Sequence, residues 1–157
     1  MFASCVIKTF FGVFMTENAQ FMLDIDRFIK KAKGREARFV REFAQDLAEE
    51  IIQETPVQTG FLRASWAAGI NAPDSGHMGQ RGTVDSPSDP GGTMGRISLN
   101  LSKARPGDTI FISNNAEYAP HVEFGTSKMS PRAFVRRTVA RAAQIAENTL
   151  RRVVRSG

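Results

Sequence analysis

Between Asp24 and Glu54 the apolar residues Phe28, Ile29, Ala32, Phe39, Val40, Phe43, Leu47 and Ile51 recur at intervals of three and four. That spacing lines side chains along one stripe of an α-helix, and it predicts a long helix that needs another layer to pack against. Asp24 or Asp26 is expected to cap its start. Thr55-Pro56 is expected to end it, because the residue before a proline is pushed out of helical geometry. Gly34 lowers helix propensity midway and marks a candidate bend or break.

Beyond the turn Pro56 to Gly60, the segment Phe61–Ile70 alternates, with Leu62, Ala64, Trp66, Ala68 and Ile70 on one face. Alternation predicts a strand with Trp66 as its buried anchor. The 24 residues from Ala72 to Gly95 hold six glycines and three prolines and almost no aliphatic side chains. Such a stretch buries too little apolar surface to offset its ordering entropy, so an exposed loop over 72–95 is expected, ordered by a partner if at all. Arg96–Lys103 fits a strand or a helical face equally. Pro106-Gly107-Asp108 turns the chain into a strand at Thr109–Ser113, bounded by Asn114-Asn115. Tyr118–Phe124 reads as a short extended or single-turn piece. Ser130 as cap and Pro131 at the first position open a final helix carrying Phe134, Val135, Val139, Ala142, Ala146, Leu150 and Val153. The expected fold class is α+β: a long N-terminal helix, a small antiparallel sheet with a long loop excursion, and a C-terminal helix packed on one face. Its expected core includes Phe43, Leu47, Trp66, Ile110, Ile112, Phe134 and Val139.

The length of 157 residues suits one domain, and 41% hydrophobic with 24% charged residues is ordinary for a globular chain. No run of apolar residues is long enough to cross a bilayer. Residues 1–22 read as an apolar N-terminal arm or extension and 23–157 as a single domain. A secretory signal fits the first fourteen residues poorly, since no basic region opens them and no small-residue cleavage site follows. A start at Met15, or an arm packing on a neighbour, are the two other readings.

The net charge of +5 is concentrated in one place. From Pro131 to Gly157 there are seven arginines against one acid, Glu147, and the rest of the chain is close to neutral. Arg132, Arg136, Arg137 and Arg141 fall largely on one side of the last helix. Three readings are open: a solvated face, a face meeting the acidic end of the first helix (Glu49 and Glu50 among its residues) across a subunit boundary, or a DNA contact. No sequence-reading motif accompanies the arginines, but a small basic DNA-binding protein remains the alternative function.

Catalytic patterns are missing from the sequence. His77 and His121 are far apart and lack metal-ligand spacing, Cys5 stands alone, and Ser65 is not in a nucleophile-elbow context. The glycines after residue 76 do not sit between a strand and a helix in a phosphate-binding pattern. The reading is therefore of a chain without catalytic residues, cofactor or metal. His121 near Glu123 is the single hint of a hydrolase.

Three stretches together resemble the tail-completion or head–tail joining (neck) proteins of tailed bacteriophages. They are Thr55-Pro56-Val57-Gln58-Thr59-Gly60-Phe61-Leu62-Arg63-Ala64-Ser65-Trp66, then Gly107-Asp108-Thr109-Ile110-Phe111-Ile112-Ser113-Asn114-Asn115 leading to Tyr118-Ala119, and then Val122-Glu123-Phe124-Gly125-Thr126-Ser127-Lys128 with Pro131-Arg132-Ala133-Phe134. Leu23-Asp24-Ile25-Asp26-Arg27-Phe28 is also similar to the opening of some members. Gln58 departs from the family's usual aspartate. The resemblance implies a non-enzymatic virion component, made in the host cytoplasm, that forms a ring of six copies in the neck. Its implied partners are the head–tail connector or adaptor and the tail terminator or tube, with DNA passing through the lumen without sequence-specific binding and no membrane involved.

Pro56, Thr59, Gly60, Asn114, Asn115 and Gly125 are expected to be structural turn residues. Glu123 and Lys128 are candidates to pair across a subunit boundary, and with Glu49, Glu50, Arg132, Arg136, Arg137 and Arg141 they make up the candidate interface.

Overall fold

The computed structural model describes residues 5–75 and 90–156. It divides into two units, one ending at Glu36 and one beginning at Ala37. The first unit is the leading part of helix α1 (Cys5–Glu54). α1 runs unbroken through Asp24, Asp26 and Gly34, so neither aspartate caps it and the glycine does not interrupt it. A capping residue must stand where non-helical chain ends, and here helix precedes both acids. Residues 19–36 are all exposed.

The second unit contains the end of α1 and then α2 (Phe61–Ala64), β1 (Trp66–Ile70), α3 (Pro90–Leu101), β2 (Ile110–Asn114), α4 (Ala119–Phe124) and α5 (Phe134–Arg155). The fold is α+β and mostly helical. Its sheet is one antiparallel pair in which Trp66 faces Asn114, Ala68 faces Ile112 and Ile70 faces Ile110. Asn71, in the left-handed region at φ 61°, closes the open end of the pair. Its Nδ2 donates to Asp108 Oδ1 at 2.8 Å, and its Oδ1 accepts from the Thr109 N–H at 2.9 Å.

Three expectations are corrected here. The strand expected over Phe61–Ile70 begins only at Trp66, because Gly60, at φ 79°, turns the chain into the helical turn α2. The loop expected over 72–95 is overturned at its end: residues 90–95 are the first turns of α3, opened by Pro90, which suits the first helical position. The rest of that loop, 76–89, lies outside the described residues, as does His77. Finally, α5 begins at Phe134 rather than at Pro131, and Ser130 does not cap it.

The core joins Ala44, Ala48, Ile51 and Ile52 of α1 to Leu62, Trp66, Ala68, Ile97, Leu101, Ala116, Ala119 and Phe134. Leu47, Ile110 and Ile112 pack against it while half-buried, and Phe43, also half-buried, stacks on Phe39 at 5.9 Å. Val139 does not belong to this core. It is 57% exposed, because α5 has an apolar arc wider than its contact and only the edge carrying Phe134, Thr138, Thr149 and Val153 turns inward. In β1, Trp66, Ala67, Ala68 and Gly69 are all buried, so both faces of the strand are covered. α3 anchors both α2 and this strand: Arg96 Nη2 donates to the Ala64 carbonyl of α2 at 2.9 Å and Asn100 Nδ2 to the Ala68 carbonyl of β1 at 3.2 Å. Asn100 satisfies a backbone acceptor on the strand's other edge, and Arg96 one at the end of the helical turn.

Candidate functional site

The motif from Thr55 to Trp66 is an interlock. Thr55 is buried, its hydroxyl donates to the Ile51 carbonyl at 2.6 Å, and the same oxygen accepts from Trp66 Nε1 at 2.9 Å. Arg63 reaches back to the end of α1, its Nη2 donating to the carbonyls of Thr55 (3.1 Å) and Gln53 (3.3 Å). Those acceptors are among the carbonyls that a helix C-terminus leaves unpaired. Trp66 meets Phe134 edge to face at 6.2 Å, which ties the motif to α5. Pro56 lies two residues past the last residue of α1, and the Thr59 hydroxyl accepts a long 3.5 Å bond from the Phe61 N–H.

Asn114 and Asn115 bind at greater range than a local turn requires. Asn114 Nδ2 donates to the Leu62 carbonyl at 2.8 Å, and its Oδ1 accepts from the Ala116 N–H at 3.0 Å. Asn115 Nδ2 donates to the Asp74 carbonyl at 2.8 Å.

Glu123 occupies a position the sequence did not reveal. It is 5% exposed at the end of α4, and its carboxylate accepts from the backbone N–H groups of Val135 (3.0 Å) and Arg136 (3.1 Å). It therefore caps α5 from a different element, satisfying donors of the first turn and placing negative charge at the positive end of the helix dipole. Arg136 Nε pairs with the same carboxylate at 3.0 Å, Nη2 donates to the Glu123 carbonyl at 2.9 Å, and the guanidinium lies 5.0 Å from the centre of the Phe124 ring. Burial pushes the carboxyl up, but the two N–H bonds and the guanidinium outweigh it and hold it below the ordinary carboxylate range. Both carboxylate oxygens of Glu123 are thus engaged inside the chain, while Lys128, its expected partner across a subunit boundary, is exposed. Gly125, at φ 80°, makes the connection possible. A Cβ there would stand 2.7 Å from the Met129 carbonyl oxygen and 2.8 Å from Pro131 N, so Gly125→Ala is expected to lower Tm by several degrees, read by thermal unfolding.

The basic helix meets the acidic end of α1 within one chain. Arg152 pairs with Glu42 (3.1 Å) and Asp46 (2.6 Å), Arg141 with Glu50 (2.8 Å) and Glu54 (2.9 Å), and Arg137 with Glu54 (2.7 Å). Early α1 acids thus meet late α5 arginines, which makes the two helices antiparallel. The complementarity read as a contact across a subunit boundary is here met within one chain: Glu50 pairs with Arg141, Glu54 with Arg137 and Arg141, and Glu123 with Arg136. Glu54 is held below the usual carboxylate range by the Arg141 hydrogen bond and the charge of both arginines, against the opposing effect of desolvation. For Glu42, burial pushes upward but Arg38 and Arg152 together prevail. These pairs are half-exposed, so Arg141→Ala should cost only a few degrees of Tm. Arg141→Glu should cost more, and the gap should narrow between 0.05 and 0.5 M salt.

Of the remaining interface candidates, Glu49, Lys128 and Arg132 are exposed and make no ion pair among the described residues. Glu49 accepts from Gln53 at 3.2 Å. His121 is exposed on α4. Among the described residues no group of His, Cys, Asp and Glu is arranged to hold a metal ion, and no helix is long and apolar enough to cross a membrane. What the surface does offer is unpaired apolar area: Phe21, Met22, Ile25, Phe28 and Ile29 on α1, and Val139, Leu150 and Val154 on α5.

This is a small, largely helical α+β chain whose distinctive residues lock its own elements together and whose helices α1 and α5 carry exposed apolar side chains of the kind found at contact surfaces. Residues 19–125, well over half of the chain, match the family described as "Bacteriophage HK97-gp10, putative tail-component", and the protein belongs to that family. The match covers the Thr55–Trp66 interlock and both strands and ends at Gly125, before α5. No curated protein and no solved structure matches the chain.

Proposed function

We propose that this tail component acts in the neck of the phage particle, completing the tail and joining it to the head connector as a ring of six copies around the DNA channel. Membership of the tail-component family carries this reading. The order of the three motifs along the chain supports the narrower assignment to the neck. The role is structural, and no bond-making step is assigned to any residue. The family's setting makes the virion the working location, with synthesis in the host cytoplasm, and the ring's neighbours are the connector or adaptor on one side and the tail terminator or tube on the other.

Glu49, Lys128 and Arg132, exposed and free of ion pairs among the described residues, are the charged positions left to set register between copies. DNA passes through the lumen without base-specific contact. The alternative of a basic DNA-binding helix is weakened because Arg136, Arg137, Arg141, Arg151 and Arg152 already pair with carboxylates. Phage grown without a functional copy of this gene should accumulate separate heads and tails in electron micrographs, and particles complemented in trans should contain the chain by mass spectrometry. Normal joined particles lacking the protein would overturn the reading.

A further inference from the structure

On α1, Phe21, Ile25, Phe28 and Ala32 follow one another at spacings of four, three and four. That is the seam of a helix paired with another helix. Phe21, Met22, Ile25, Phe28 and Ile29 are all exposed, Phe28 at 71%. Apolar residues gathered in this way on one helix mark a contact surface.

The residues flanking the seam identify what covers it. One flank carries Met22 and Ile29. The other carries Asp24 and Lys31, opposite charges seven residues apart. Lay a second copy of the same segment antiparallel, with Phe21 opposite the partner's Ala32 and Ile25 opposite the partner's Phe28. Asp24 then meets the partner's Lys31, and Lys31 meets the partner's Asp24. On the other flank Met22 meets the partner's Ile29. Large side chains face small ones at the ends of the seam, both charge pairs are complementary, and the apolar flank closes on itself. A parallel, in-register pairing does worse: it sets Asp24 beside the partner's Ile29 and leaves Lys31 with Glu36 as its charge match. The present contacts of Asp24, a 2.9 Å pair with Arg27 in which both side chains are more than half exposed and a 3.1 Å exposed bond from Gln20 Nε2, are too weak to oppose the exchange.

We propose that residues Phe21–Ala32 of α1 are a self-association site that joins two copies of this chain as an antiparallel helix pair. The contact is about 18 Å long. It is isologous, so it joins copies in twos, unlike the head-to-tail contacts that close a ring, and it does not depend on the neck assignment.

Sedimentation equilibrium of the full chain across micromolar to submillimolar concentrations tests it. Lys31→Asp, which places like charges together twice, should raise the dimer dissociation constant tenfold or more. Adding Asp24→Lys should restore it to within about threefold. In a Cys5→Ser background, a mixture of Ile25→Cys and Phe28→Cys chains should form the mixed disulfide much faster than either variant links to itself. A chain that stays monomeric throughout, a double reversal that restores nothing, or efficient self-linking by each single-cysteine variant would each overturn the proposal. All four positions are exposed, and circular dichroism of each variant confirms that helix content is kept.

Discussion

Trp66→Ala is expected to lower the unfolding free energy of the second unit by about 3–5 kcal/mol, a loss in the largest class for a single core truncation. Trp66 is buried at the start of β1, lies edge to face against Phe134, and donates its indole N–H to the Thr55 hydroxyl. Truncation removes an aromatic that contacts both helical layers and opens a cavity where α1, β1 and α5 converge. It also deprives a buried hydroxyl of its donor, although Thr55 keeps its own bond to Ile51. Against the roughly 5–15 kcal/mol typical of a domain, this is a large fraction of the total. Trp66→Phe should cost less than half as much, because most of the burial survives and only the hydrogen bond is lost. Trp66 is the sole tryptophan of the chain, so the comparison needs far-ultraviolet circular dichroism in urea rather than intrinsic fluorescence. Equal losses for Ala and Phe would show that the hydrogen bond, not the ring, holds the interlock.

Where the fold was legible in the sequence, the signal was local. The end of α1 follows from Thr55-Pro56, and β2 follows from a β-branched and aromatic run between turn residues. The misreadings arise where one pattern serves two structures. Leu62, Ala64 and Trp66 alternate as a strand does, yet Leu62 and Trp66 are also four apart, and the left-handed Gly60 decides for a helical turn. α3 was obscured by composition: Gly91, Gly92 and Gly95 lower its propensity, but burial of Thr93, Ile97 and Leu101 supplies what propensity lacks. Period alone fixes a helix's apolar arc and not which part of it is covered, which is why Val139 lies outside the core. The candidate interface was least legible of all. Complementary charges on two helices read the same whether the helices belong to one chain or two, and only the distances from Glu42, Asp46, Glu50 and Glu54 to their arginines show that one chain satisfies them.

Glu123 was hidden for a related reason. A helix cap is sought within a few residues of the helix start, and Ser130-Pro131 supplied a plausible one, but the acceptor used lies at the end of the preceding helix. Glu123→Ala should therefore destabilise by about 3 kcal/mol, since two backbone donors of the first turn and one guanidinium lose their acceptor together. Glu123→Gln keeps one carbonyl oxygen for the N–H groups and should cost about half of that. Arg136→Ala should cost least, because Glu123 would still accept from two N–H groups, and Arg136 is half-exposed. The pH dependence separates capping from mere bulk. A carboxyl held below its unfolded value contributes stability that is fully present above the unfolded pKa, about 4.3, and is lost as pH falls through the lower folded value. Wild-type stability should accordingly decline below pH 4.5. The decline should be shallower in Glu123→Gln, with a residual slope from Glu42, Glu54 and Asp108, whose carboxyls are also held low. Urea midpoints from pH 7 to pH 3 measure this. A Glu123→Gln chain that lost stability as steeply as the wild type would show that the acid-sensitive bonds lie at the other lowered carboxyls and that Glu123 stays ionised throughout the range.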